Sequence, residues 1–224
     1  MSTPTENTAA LLLRKAGLKQ DVYESAIRFF ECLSGAAAKL VTELEPQVRH
    51  ADQRVRLEYI SPSDHEFQMK VGSDVLIFIL HTNVFHLDPK HPCWNEQYIK
   101  DDVERSYFGI VNIYNFLHDS IHYNRSGDVG YLVCRLFVNK WGHFFLETRQ
   151  EDQVSCSLIQ TEAFTLDKGK EIINELIQFV TEFDLFVPPF EQVAEITVDE
   201  VNAEAQTHKL KTAKRLGFNY GLHD

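Results

Sequence analysis

Glu66-Phe67-Gln68-Met69-Lys70-Val71-Gly72-Ser73-Asp74-Val75-Leu76-Ile77-Phe78-Ile79-Leu80 is the stretch whose reading decides the fold. Phe67, Met69 and Val71 alternate with Glu66, Gln68 and Lys70, a period of two that marks a strand with one dry and one wet face. Gly72-Ser73 reads as a two-residue hairpin turn. The segment beyond it, Val75–Leu80, is apolar on both faces and predicts a central strand covered on both sides. Upstream, Val55, Leu57 and Tyr59 alternate with Arg54, Arg56 and Glu58. Ser61-Pro62-Ser63-Asp64 reads as the intervening turn, with proline at its favoured second position.

The period changes on both sides of this β-rich block. Residues 1–7 are polar and are expected to be disordered. Asn7–Gly17 reads as a short helix capped by Asn7 and ended by Gly17. Asp21 and Glu24 open a second, longer helix as an acidic capping box. Its core stripe is Val22, Ala26, Phe29, Phe30, Leu33, Ala37, Leu40 and Leu44, and Pro46 stops or kinks it.

Downstream, residues 83–105 carry Pro89 and Pro92 and read as an irregular excursion. Ile110, Ile113, Tyr114, Leu117 and Ile121 fit helical spacing and predict a helix over 107–122, with Asn115, His118 and His122 on the wetter side. Asn124–Asp128 is a loop by composition. Three strands follow, at Tyr131–Val138, His143–Thr148 and about Ser155–Ala163. A helix starts at Asp167, and the region closes at Pro188-Pro189. A last helix opens on the capping box Thr197–Glu200 and ends near Gly217.

The order α-α-βββ-α-βββ-α-α has strands in runs joined by short turns. It predicts an α+β fold around a largely antiparallel six-stranded sheet. Residues 8–190 form one domain in this reading, and 191–224 form a peripheral C-terminal helix and tail.

The 224 residues are 44% apolar and 25% charged, an ordinary globular composition. The longest unbroken apolar run is Val75–Leu80, too short to span a membrane. No basic secretory start precedes Ala9–Leu13. Cys32, Cys93, Cys134 and Cys156 are spread out with no C-x-x-C pair, as expected of a cytosolic chain rather than a disulfide scaffold. The net charge of −11 argues against general nucleic-acid binding, because phosphate affinity comes from Lys and Arg. The C-terminal cations Lys209, Lys211, Lys214 and Arg215 follow the helix dipole and need no ligand.

Several groupings bear on chemistry. In His118-Asp119-Ser120-Ile121-His122, a helix would set His118 and His122 one turn apart on one face, a spacing that holds zinc in H-E-x-x-H hydrolases. Aspartate stands where those enzymes have glutamate, and no third ligand is local. His81, His86, Asp88, His91 and Cys93 have zinc-binding side chains but no ligand-pair spacing. They would gain weight only if the excursion carried them to His118 and His122. Glu66, Gln68 and Lys70 miss the Glu-x-Lys spacing of metal-dependent nucleases and read as a solvated strand face. Cys93, in a loop beside His91, is the one cysteine placed to be a reactive thiol. There is no G-x-S-x-G, G-x-G-x-x-G or P-loop motif.

The segment Asn139–His143 predicts a hairpin with Lys140, Trp141 and Gly142 as a three-residue loop. Arg135 then faces Glu147, Leu136 faces Leu146 and Val138 faces Phe144. Trp141 lies at the tip, either folded back on the domain or marking a contact surface. With catalytic motifs missing, the expected function is a cytosolic binding domain with a protein partner or a second copy, without cofactor. The alternative is a zinc-dependent hydrolase using His118 and His122.

Overall fold

A computed structural model describes residues 3–150, 153–183, 187, 190–195 and 197–198. Among the described residues eight strands form one sheet in an α+β fold, and every strand pairing there is antiparallel. Most pairs are also sequence neighbours, as short turns require. The strands are β1 (Leu57–Ser63), β2 (Glu66–Val71), β3 (Asp74–Leu80), β4 (Phe85–His86), β5 (Tyr107–Leu117), β6 (Tyr131–Val138), β7 (Phe144–Gln150) and β8 (Gln153–Cys156). The spatial order is β1-β2-β3-β5-β6-β7-β8, with the two-residue β4 pairing the start of β5.

Helix α1 (Pro4–Ala51) replaces the two helices expected at the start of the chain. Thr3 caps it: the Glu6 N–H donates to Thr3 Oγ1 at 3.2 Å, and the Thr3 N–H donates to Glu6 Oε2 at 2.7 Å. The helix therefore begins inside the segment expected to be disordered, and Asp21 and Glu24 are interior. A lone glycine ends a helix only when it turns left-handed, and Gly17 does not. Pro46 lies close enough to the end that the last turn continues past it to Ala51. The predicted stripe is buried from Val22 to Leu40, Leu18 extends it by one turn, and Leu44 packs at its margin.

Helix α4 (Leu166–Thr181), capped by the Thr165 hydroxyl, lies beside α1 on the same sheet face. Two glycines set the spacing. A Cβ at Gly109 would lie 2.4 Å from Ala26 Cβ, and one at Gly169 2.7 Å from Ala36 Cβ. Helix α1 therefore rests directly on β5 and on α4. Between them, Phe29, Phe30 and Leu33 meet Phe67, Phe78, Ile113, Leu136 and Ile173 in the main core.

The segment Tyr107–Leu117 corrects the reading of 107–122 as a helix. Val111 and Ile113 enter the core beneath α1, while Phe108 and Ile110 enter a second core on the opposite face. A strand buried on both sides shows no two-residue alternation, so a chance helical spacing stood out instead. Its Tyr, Phe, Val and Ile content suits a strand. Asn115 is accordingly fully buried and Ile121 is 40% exposed, the reverse of the helical expectation.

The other departures are smaller. The β1–β2 turn is Asp64-His65, because β1 continues through Pro62 to Ser63 with a register shift. β1 is an edge strand, where proline's missing N–H breaks no ladder. β8 ends at Cys156, and Gln160 makes only an isolated bridge to Phe144. The β6–β7 hairpin has the predicted register, with Arg135 opposite Glu147, Leu136 opposite Leu146 and Val138 opposite Phe144. Gly142 supplies the positive φ of 77° in its turn. The expected last helix, residues 197–217, lies outside the described residues except for Thr197 and Val198. Among the described residues no helix is long and apolar enough to cross a membrane.

The second sheet face is covered unevenly. Over β5–β7 it is capped by the 85–106 segment, which contains the short helix α2 (Gln97–Asp101). There Leu87, Cys93 and Ile99 pack against Phe108, Ile110, Phe137 and Phe145. Over β1–β3 it is more open among the described residues: Ile60 and Ile79 are exposed, while Val75 and Ile77 remain buried.

Candidate functional site

His118 and His122 lie on α3 (His118–His122), a single turn that follows β5. The His118 N–H donates to Ser73 O at 2.7 Å, anchoring α3 on the β2–β3 turn. The two imidazoles do share a face: their rings stack with centroids 5.3 Å apart. His118 and Asp119 edge an open cleft of about 710 Å³ together with Asp52, Arg54 and Ser73. Arg54 is engaged with Asp52, whose carboxyl it holds below the usual range by hydrogen bonding. Beneath this end, the Asn115 Nδ2 donates to Asp74 Oδ1 and to the Tyr131 hydroxyl, both at 2.9 Å. Burial pushes Tyr131 up to about 12.

The group of His, Cys and carboxylate ligand atoms that does converge among the described residues lies elsewhere. His91, Glu147 and Cys156 bring one ligand atom each within 4.8 Å of the others. Sheet register builds half of it. Arg135, Glu147 and Cys156 form one cross-strand row on β6, β7 and β8, and side chains in such a row point to the same face. Arg135 forks onto Glu147 Oε2. The other oxygen, Oε1, faces His91 Nε2 at 3.7 Å, and Cys156 Sγ lies 3.9 Å from the same nitrogen.

His91 reaches this row from above. It caps the 3-10 turn Pro92–Asn95, with Nδ1 accepting the Cys93 N–H at 3.3 Å. Its ring sits against Phe137 and Phe145, which stack on each other at 4.5 Å. Cys93 is buried, and its thiol is pushed up to about 12 by burial and by the neighbouring Cys156, Glu96 and Glu147. Burial and Glu147 raise the Cys156 thiol as well. Neither sulfur therefore has the lowered pKa of a catalytic nucleophile. The expectation of a reactive loop thiol at Cys93 gives way to a buried one.

Of the five excursion residues, His91 enters this cluster, and Cys93 is buried in the second core, against which Cys156 packs. His86 packs its ring on Tyr107 and Trp94, His81 packs on Phe85, and Asp88 turns back to bond the Lys90 N–H. The excursion does not carry them to His118. Along β5, six residues separate His118 from the row of Asn112 and Arg135, with Glu147 one strand further on. At ~3.4 Å per residue and ~4.8 Å per strand the two groups are roughly 20 Å apart. Glu66, Gln68 and Lys70 are half-buried on the open face, where Gln68 bonds Glu66.

Trp141 is folded back in part. Its backbone N–H donates to Asn139 Oδ1, Lys140 lies 4.4 Å above its ring, and the side chain edges a hollow with Phe29 and Phe164. It is 42% exposed, short of the full solvation expected of a bare contact residue. Exposure is high along the start of α1. Leu11, Leu12 and Leu13 are 54%, 66% and 75% exposed, and every described residue before Gly17 lies on the surface. Compared with protein-family models, with curated proteins and with solved structures, the chain matches none.

Proposed function

We propose that the protein is a cytosolic interaction domain that binds another protein chain along the side formed by the start of α1, Val103 and Trp141. The observation that carries this reading is the leucine triplet at positions 11–13. Three consecutive leucines present more than half a helix circumference of apolar surface, and isolated exposed leucines are common where a triplet is not. The side is continuous. Lys15 bonds the Tyr107 hydroxyl, Glu104 pairs with Lys140, and Arg105 lies over the Trp141 ring. A helix laid along such a stripe would bury it by the groove mode of recognition. Four unpaired cysteines favour a reducing compartment.

The test compares the full chain with a Leu12→Glu/Leu13→Glu variant, using quantitative affinity capture and light scattering. The expected result is at least a tenfold loss of captured partner or of self-association, with the circular dichroism spectrum unchanged. A chain that stays monomeric and captures the same proteins with and without the two changes would overturn the reading. A second reading, metal-dependent hydrolysis by His118 and His122, draws on their stacked rings beside the cleft. Stoichiometric metal lost in His118→Ala/His122→Ala would favour it.

A further inference from the structure

We infer that His91, Glu147 and Cys156 form a zinc site that staples the 85–106 segment to the second face of the sheet. Geometry comes first. Tetrahedral zinc, with Zn–N and Zn–O near 2.0–2.1 Å and Zn–S near 2.3 Å, needs ligand-to-ligand edges of about 3.4 Å for N···O and about 3.6 Å for N···S. The observed edges are 3.7 Å from His91 Nε2 to Glu147 Oε1 and 3.9 Å from Nε2 to Cys156 Sγ. A few tenths of an ångström of side-chain adjustment closes these two edges, and the Glu147–Cys156 edge lies within 4.8 Å.

The donor set selects the metal. Thiolate with imidazole suits zinc, whereas magnesium and calcium take oxygen ligands. The donors that converge are His91 Nε2, a Glu147 carboxylate oxygen and Cys156 Sγ, and the fourth tetrahedral position falls to a water molecule. With the Cys156 thiol ionised, the thiolate and the Glu147 carboxylate together cancel the two positive charges of the zinc. A buried site requires that balance. Binding displaces the Cys156 thiol proton to solvent.

Arg135 acts as the outer partner that orients a ligating carboxylate. It occupies Glu147 Oε2 and leaves Oε1 aimed at His91. Coordination through Nε2 puts the ring proton of His91 on Nδ1, so the Cys93 N–H contact there, long at 3.3 Å, is given up. The side chains of His91 and Glu147 are only 13% and 8% exposed. A donor set so enclosed leaves little room for a substrate beside the metal, so the site's role is to hold the segment on the sheet.

The test uses the full chain freed of any histidine tag, loaded with zinc, desalted and analysed by mass spectrometry of the metal. Zinc is expected to be stoichiometric in the wild type and in His118→Ala/His122→Ala. It is expected to fall at least tenfold in His91→Ala and Cys156→Ser. Cobalt in place of zinc should give a thiolate-to-metal charge-transfer band that Cys156→Ser weakens. If either single variant fails to fold, the wild-type cobalt spectrum decides by the presence or absence of that band. Wild type that holds no zinc, zinc kept by both His91→Ala and Cys156→Ser, or zinc lost in His118→Ala/His122→Ala would each overturn the site.

Discussion

His118 and His122 come from five consecutive residues, whereas His91 and Cys156 come from segments 65 residues apart. The local pair has the familiar spacing, yet among the described residues no third ligand atom converges on it. The dispersed group has no spacing at all, yet it gathers imidazole, carboxylate and thiol around a buried point. A one-turn helix fixes only its own side chains. A sheet aligns residues from distant segments in one row, and a covering loop supplies what the row lacks. The comparison teaches that ligand sets assembled by register are invisible to a search by spacing.

The largest expected effect would break the comparison if it appeared at the wrong site. Free zinc at about 1,000 times its dissociation constant should stabilise the fold by ~4 kcal/mol. For a chain of this size that is a rise of roughly 10 °C in Tm. Scanning calorimetry should show the rise reversed by a chelator, and absent in Cys156→Ser.

Next is Arg135→Ala. It leaves Glu147, only 7% exposed, as an uncompensated buried charge, which costs about 3–5 kcal/mol for a fully buried pair. The Arg135 side chain is 38% exposed, so solvent screening reduces the expected loss to ~2 kcal/mol. Urea denaturation of the metal-free chain should show it, and saturating zinc should recover part of it.

A pH series sharpens the same contrast. Burial, then the charge of Arg105, lowers His143 below its ordinary 6.5, and burial with Lys15 lowers His86. Below pH 6.5 the unfolded chain takes up protons that the folded imidazoles refuse, so stability falls as pH drops through 6.5 towards the folded values. Metal-free protein should melt lower at pH 5.5 than at pH 7.5. His143→Gln, which keeps a polar group near Tyr98 and Asn139, should flatten the slope. The smallest effect is expected from His118→Ala/His122→Ala, within about 0.5 kcal/mol, as for surface positions that bury no network. A loss above 2 kcal/mol there would mean that α3 is more deeply tied to the fold than its single turn indicates.

Much of the fold is legible in the residues. The Phe67–Leu80 hairpin, the stripe on α1 and the Arg135–Glu147 register all follow from periodicity and turn chemistry. The misread elements share a cause. β5 is buried on both faces and so lost its alternation, and Gly17 and Pro46 were weighed without the packing that carries α1 past them. The site was half visible. His91 stood out by side-chain type, and Glu147 was placed opposite Arg135. Their meeting could not be read, because the strand containing Cys156 was set two residues late and no local rule says where a proline-bearing excursion will land. A search for His, Cys and carboxylate residues in the rows implied by the predicted register would have found Glu147.

Pro62 has one more consequence. An open sheet ends in strands whose outer N–H and C=O groups can template a foreign chain, the route by which β proteins assemble into fibrils. On β1 that margin is interrupted, because Pro62 withholds a donor where the register already shifts between Ile60 and Ser63. The opposite margin, β8, spans only four residues. The exposed Ile60 beside the break is thus an apolar residue on an edge that cannot be extended in register, and the fold keeps a broad sheet without the hazard of runaway strand addition.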